Sequence, residues 1–378
     1  MDAESLTAEL VRFHTESPAG DERACACYLR DYIADLHLDG FRCDLHEFAA
    51  KRANLIVRIG PENAPGLMFA GHTDTVLAGN LGDWVSDPFE PLVKEGRMFG
   101  RGTADMKAGL AALASSLDIL RGKKLRRSVL FVATAGEENG CQGIKALIRD
   151  GKLSNGEALY GIVAEPTSLK AVRKHKGVTR FRVAFKGIAA HASTPLLGVN
   201  AIEGASRFMS KLSQYKESLE SDADPEQGAT TLPVTFFMGG VQGRYNVIPE
   251  SCELFINCRR IPRHTADFIN QGLNSIVAQM EADEPGLRGD VKIDFNNDAL
   301  DLPATNSLVR MAEDITNERS ISVPYATEAP YYRGLGTETI VLGPGSINQA
   351  HVTNEFVAVD EIRRAEAMYR LMIQKICL

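Results

Sequence analysis

Apolar positions in the first half of the chain follow two rhythms. Leu6, Leu10 and Phe13 recur at helical spacing, as do Cys25, Leu29, Tyr32, Ile33 and Leu36, each set marking the apolar stripe of an amphipathic helix. Asp39-Gly40 is a turn signal, and Phe41, Cys43 and Leu45 then alternate with polar residues as a half-buried strand does. Short apolar runs follow at Leu55–Ile59, Leu67–Ala70, Val129–Ala133 and Tyr160–Ala164, with an alanine-rich helix predicted over about Met106 to Leu120. Runs of this kind suit strands buried on both faces. Their alternation with helices predicts an α/β layered sheet with helices on both sides.

The pattern changes near Gly177. Phe181, Val183 and Phe185 alternate with Arg180, Arg182 and Lys186, which is a strand with one wet face. A long helix is predicted over Ala201 to Leu219, then a polar linker from Ser221 to Gly228. Strands around Leu232–Phe237 and Leu254–Cys258 bracket an expected loop at Gln242–Pro249, and a helix near Ala266–Met280 and a strand Val291–Phe295 complete the block. That is the pattern of a smaller α+β domain with an antiparallel sheet. From Leu302 the buried strand-and-helix style returns, with Ile340–Leu342 as an apolar strand. The expectation is a catalytic domain in two parts, 1–176 and 298–378, interrupted by an inserted domain at 177–297.

Composition narrows the function class. With 378 residues the chain is long enough for two domains at roughly 100–200 residues each. Lys and Arg number 42 against 49 Asp and Glu, a formal net charge of −7. Phosphate recognition needs a basic face, so no nucleic-acid partner is expected. No apolar run approaches the ~18 residues of a membrane span. Met1 to Leu10 also lacks a basic segment followed by an apolar one, so no secretory leader is expected. The 7 cysteines are scattered and odd in number, with no Cys-x-x-Cys pair. They predict reduced, mostly buried thiols in a cytoplasmic protein, and leave any metal to His and carboxylate ligands.

Several chemistry-bearing residues fall just after the predicted buried strands. His72 and Asp74 follow Leu67–Ala70 and, as i and i+2 of an extended segment, project to the same side. Open α/β sheets place their ligand crevice at that end of the strands. Asp74 is spaced to orient a metal-bound His72; the ordinary alternative is a solvated loop. Asp105 stands at the start of the alanine-rich helix, where an isolated Asp reads first as an N-cap. Glu137 and Glu138 follow Val129–Ala133, Glu165 follows Tyr160–Ala164, and His351 lies beyond Ile340–Leu342. Surface polarity would not select strand ends so regularly. His72, His351, Asp105, Glu138 and Glu165 suit two divalent ions with one bridging carboxylate, the ions ~3.5–4 Å apart around a shared water. Mixed His and carboxylate ligation is compatible with Zn²⁺, and also with Co²⁺ or Mn²⁺. Of the adjacent pair Glu137 and Glu138, one would bind metal and the other, unligated, take the proton of the shared water.

The set Gly71-His-Thr-Asp-Thr-Val76, Gly102-Thr-Ala-Asp-Met-Lys107, Glu137-Glu138, Glu165-Pro-Thr-Ser168 and Ala190-His-Ala-Ser193 resembles the co-catalytic zinc metallopeptidase and aminoacylase family. The likeness runs through essentially the whole chain. It implies a zinc-exopeptidase-like catalytic domain with a mixed, largely parallel sheet, plus the inserted α+β domain with an antiparallel sheet, expected to serve as a lid and to pair two copies into a homodimer. Glu165 to Gly177, Tyr325 to Pro330 and Leu342 to His351 look most like the branch that deacylates N2-acetyl-L-ornithine, a small N-acyl amino acid of arginine biosynthesis. By resemblance, His72, Asp105 and Glu165 hold one metal, and Asp105, Glu138 and His351 the other. Asp74 then orients His72, Glu137 is the general base and His191 stabilises the oxyanion. Asn246 and Arg259 match substrate-contacting positions, with Arg259 expected on the substrate carboxylate and Glu328 on its distal ammonium. Spacing alone would leave His191 a loop histidine and Arg259 a surface residue.

Within the family, a desuccinylase, an acetylcitrulline deacetylase, an aminoacylase or a dipeptidase would share every metal ligand. Outside it stand a catalytically silent metal-binding protein and a pure binding module; an intact Glu137 and a full ligand set argue against both. No Gly-x-Gly-x-x-Gly follows a strand and no Gly-x-Ser-x-Gly is present, so nucleotide and serine-hydrolase chemistry are unsupported. His14, His37, His46 and His264 are expected to be solvated, with His175 left open beside the domain crossover.

Overall fold

Four mutually parallel strands, Gly66–His72, Val129–Thr134, Ala158–Val163 and Glu338–Val341, form the centre of the first sheet. Every residue of the first two is buried, as the apolar runs require when helices cover both faces. Arg52–Ile59 adds antiparallel to Val129–Thr134, and Arg42–Ala49 antiparallel to Arg52–Ile59, so the sheet is mixed. This is a computed structural model, and it describes all 378 residues. The chain divides into two compact units, one of Met1–Arg173, Leu302–Ile321 and Thr327–Leu378, the other of Lys174–Asp301 and Ser322–Ala326.

In the first unit, the helix Ala108–Ser116 is buried along its whole length and packs against the helices Ala3–Val11 and Val359–Cys377. It is shorter than the periodicity predicts. Asp105 (φ −121°, ψ 92°) and Met106 (φ −135°, ψ 33°) lie outside the helical region, and a tight turn Leu117–Leu120 follows. The alanines and Gly109 explain the close approach: a Cβ on Gly109 would come within 2.1 Å of the Ala164 carbonyl oxygen, just before Glu165. A larger residue there would push the helix away from the strand end that carries that glutamate.

The second unit is an antiparallel sheet in the order Val234–Gly239, Ser251–Arg260, Gly177–Lys186, Arg288–Asn297. The alternating strand Gly177–Lys186 turns Phe181, Val183 and Phe185 inward, and the helices Ala201–Glu220 and Ala266–Asp283 supply Phe208, Leu212, Ile269 and Leu273 to the same core. Within the expected loop, Val247–Ile248 pairs with Ala190–His191. No helix in the chain is long and apolar enough to cross a membrane.

Candidate active site

His72 is the last residue of its strand and only 1 % exposed. Its Nδ1 lies 2.9 Å from the main-chain carbonyl oxygen of Asp74, whereas the Asp74 carboxylate is 3.6 Å away. A carbonyl can only accept, so Nδ1 donates to it, and Nε2 is the ring nitrogen turned toward the acids. Nε2 faces Asp105 Oδ1 at 3.1 Å and Glu165 Oε1 at 3.7 Å. The ring is therefore oriented by the backbone of Asp74, and the expected carboxylate contact is secondary. That carboxylate has other work: Oδ1 accepts the N–H of Glu137 at 3.0 Å and Oδ2 that of Glu138 at 3.1 Å.

Asp105 is not an N-cap. The helix after it starts from Lys107 and has no side-chain cap. Because Asp105 and Met106 leave the helical region, the carboxylate turns into the site, where its two oxygens divide between the histidines. Oδ1 meets His72 as above, and Oδ2 lies 3.3 Å from His351 Nε2. The approach to this segment needs Gly102 at φ +81°, where a Cβ would also strike the Thr75 methyl at 2.5 Å.

His351 Nε2 is also 2.8 Å from Glu138 Oε1. Its backbone adopts φ 62°, a left-handed value uncommon for a non-glycine residue and concentrated at functional sites. His72, Asp105 and Glu165 form one group whose ligand atoms lie within 4.8 Å of one another, and Asp105, Glu138 and His351 form a second, so Asp105 belongs to both. The ion pairs of these carboxylates are with the two histidines, and no Lys or Arg neutralises them. Three acids and two imidazoles gathered without a basic side chain suit divalent cations. Glu138 and His351 also line a cavity of about 430 Å³ with Ser17, Pro18, Val76 and Leu77.

Burial acts on Glu137 as it does on Glu138 and Glu165. Burial raises the Glu137 carboxyl well above the ordinary range; His72 opposes the shift, and Glu138 and Glu165 add to it. Its Oε1 lies 3.6 Å from Cys141 Sγ. A carboxylate made more basic than usual and held beside the ligand groups is suited to accept a proton.

Glu328 is enclosed at the start of the helix Ala329–Gly334. It is 1 % exposed, with Oε2 2.8 Å from Thr134 Oγ1. Burial pushes its carboxyl up to about 8, with His72 opposing the shift and Asp74 and Glu165 adding to it. His191, Asn246 and Arg259 belong to the second unit. His191 and Asn246 are neighbours there: both are exposed, and Ala192 N donates to the Asn246 carbonyl at 2.8 Å. Arg259 is half-buried in the strand Ser251–Arg260.

Two expectations for the remaining histidines fail. His46 is buried, its ring 2.9 Å from Asp150 and 3.4 Å from Asn54, and His264 is buried between Asp222 and Thr230, both at hydrogen-bonding distance. Carboxylates distant in sequence enclose them, which no local pattern reveals. His14 and His37 are exposed as expected, and His175 is buried. Glu355 was not singled out from the sequence, yet it accepts four hydrogen bonds from the segment before and at Asp105. An acid four residues after His351 was the only local clue.

Fold and site together define an α/β metallo-hydrolase with a second, antiparallel α+β unit. The chain belongs to the peptidase family M20/M25/M40, whose model matches residues 68–375. It is 32 % identical over 353 residues to an acetylornithine deacetylase of Shigella sonnei (strain Ss046), covering 92 % of this chain and 90 % of that protein. Among solved structures it is similar to the aminopeptidase PepT of Bacillus cereus ATCC 10987 (TM-score 0.75, 23 % identity, 99 % of this chain and 97 % of that one). It also resembles the YxeP protein of Bacillus subtilis, described as a dinuclear metal-binding peptidase of the M20 family (TM-score 0.69, 15 % identity, 98 % and 97 % covered).

Proposed function

We propose that this M20-family amidohydrolase removes the acyl group from an N-acyl amino acid, converting N2-acetyl-L-ornithine to L-ornithine and acetate with two divalent ions. The observation that carries the chemistry is the pair of ligand groups sharing Asp105, with Glu137 adjacent to Glu138 and held by the same Asp74 carboxylate. His72, Asp105 and Glu165 would hold one ion and Asp105, Glu138 and His351 the other, zinc being the first choice and cobalt the second. When bound, the ions supply Lewis acidity to the amide carbonyl and make water a better nucleophile. Glu137 takes the proton of the attacking water and delivers it to the leaving nitrogen, so that the amine departs neutral. His191, by resemblance, donates to the oxyanion, and Asn246 and Arg259 contact the substrate, Arg259 at its carboxylate.

The choice of acetylornithine rests on the full-length relative and would place the reaction in arginine biosynthesis. Seven cysteines, scattered along the chain and none in a disulfide, support a reducing, cytoplasmic setting. The edge strand Val234–Gly239 leaves Phe236, Phe237 and Met238 exposed, which supports a homodimer formed through the second unit. A monomeric mass by light scattering at assay concentration would remove that part. The function is tested with chelator-stripped protein given zinc or cobalt and offered acetyl-ornithine, acetyl-citrulline, acetyl-methionine or succinyl-diaminopimelate. Metal-dependent turnover, fastest with acetyl-ornithine, is expected. A different preferred substrate reassigns the acyl amino acid, and no turnover of any of them overturns the hydrolase reading of the site.

A further inference from the structure

Glu355 lies four residues beyond His351 and immediately before the strand Phe356–Ala358, which pairs with Arg97–Phe99. That pairing brings Glu355 beside the segment leading to Asp105. Its carboxylate is 1 % exposed and divides its oxygens along the segment. Oε2 accepts from Arg101 Nη1 at 2.8 Å and from Gly102 N at 2.9 Å, while Oε1 accepts from Ala104 N at 2.7 Å and from Asp105 N at 3.0 Å. Its own carbonyl oxygen takes Gly100 N at 3.1 Å. The segment is neither helix nor strand at Asp105 and Met106, so its N–H groups have no regular ladder to satisfy them, and one carboxylate from a remote part of the chain does so instead.

We infer that Glu355 is a positioning residue for the Asp105–Glu138–His351 ligand group, locking Asp105 by its main-chain N–H and tethering His351 through the four-residue link. The inference rests on the two-ion reading proposed above. The two groups differ in their dependence on it. His72 ends a strand of the central sheet and Glu165 follows another, so the first group keeps both if Glu355 is lost. Asp105 and His351 are the two members of the second group that Glu355 ties together. A staple that served the fold alone would affect thermal stability and leave metal binding intact in the folded protein. A positioning residue changes the affinity of one ion more than the other.

Cobalt is the probe, titrated into chelator-stripped wild type and Glu355→Gln and followed by visible absorption at a temperature where circular dichroism shows both folded. The wild type is expected to take two equivalents. Glu355→Gln keeps the volume but turns one acceptor into a donor facing N–H groups. It is expected to take the first equivalent, which keeps His72 and Glu165, with the smaller loss and the second about 10–100-fold more weakly, the usual effect of disturbing a residue that orients ligands. Both equivalents bound with wild-type affinity would overturn the inference, as would equal weakening of both. Should Glu355→Gln not fold, Glu355→Asp, which draws the oxygens back by one methylene, is titrated with the same expectation and the same overturning results. Wild type that binds no cobalt defeats the two-ion reading itself, a separate outcome.

Discussion

The carboxylate of Asp74 accepts the main-chain N–H of Glu137 at 3.0 Å, and its other oxygen accepts that of Glu138 at 3.1 Å. One fully buried acid thereby sets the proposed general base and a proposed ligand of the second ion, while its backbone carbonyl, 2.9 Å from His72 Nδ1, sets a proposed ligand of the first. Side chain and main chain of one residue thus serve different halves of the site.

That division can be separated by substitution. Asp74→Asn keeps the carbonyl that orients His72 but presents an amide –NH₂ to one of two N–H groups. Leaving a buried donor unpaired costs about 1–3 kcal/mol, and the strain falls on Glu137 and Glu138. The expected result is a kcat/KM about 10–100-fold lower, with the first cobalt equivalent bound as in the wild type. If Asp74→Asn instead loses the first equivalent and keeps the second, the carboxylate orients His72 after all.

Much of this arrangement was legible in the sequence because it rides on strand ends. His72, Glu138 and Glu165 follow apolar runs whose burial on both faces fixes where the chain must emerge, and His351 follows the fourth. Asp105 was legible as a residue but not as a geometry: local spacing favoured an N-cap, and only the packed segment shows it extended. Glu355 and the buried His46 and His264 were hidden because, Asn54 beside His46 apart, their partners are 34 to 254 residues away. Glu328 was legible as a residue near the site, but only packing shows that it is enclosed and meets Thr134.

Sharing of Asp105 makes a stoichiometric prediction. Asp105→Ala removes a ligand from both groups and His351→Ala from one. Metal analysis after dialysis against limiting zinc is expected to show close to none retained by Asp105→Ala and one equivalent by His351→Ala. Both variants are expected to lose most of their activity. Retention of a full tight equivalent by Asp105→Ala would mean that the groups do not share it.

Glu328 offers a test by selectivity. Glu328→Gln is nearly isosteric and can still accept from Thr134, so a buried, protonated Glu328 predicts an unchanged ratio of kcat/KM between acetyl-ornithine and its uncharged analogue acetyl-norvaline. An ion pair with the substrate ammonium predicts the opposite. Removing one partner of such a pair costs at least about 2 kcal/mol, and the ratio would then fall about 30-fold. A fall of that size would return Glu328 to substrate binding.

His175 makes the stability of the fold depend on pH in a way independent of the metal ligands. It is fully buried, its Nδ1 3.0 Å from the Lys176 carbonyl, and burial lowers its imidazole from 6.5 to about 4. Above pH 6.5 the ring is neutral folded or unfolded, and its contribution to stability is complete. Between pH 6.5 and 4 the unfolded chain takes up a proton that the folded chain refuses, so stability falls with pH, by about 3 kcal/mol at the acid end. Denaturant unfolding of wild type and His175→Gln from pH 7.5 to 4 measures this directly. The variant starts less stable, because the ring's packing is lost, but is expected to lose less on acidification, so the two curves converge. Parallel curves over that window would show that the imidazole is protonated in the folded state as readily as in the unfolded one.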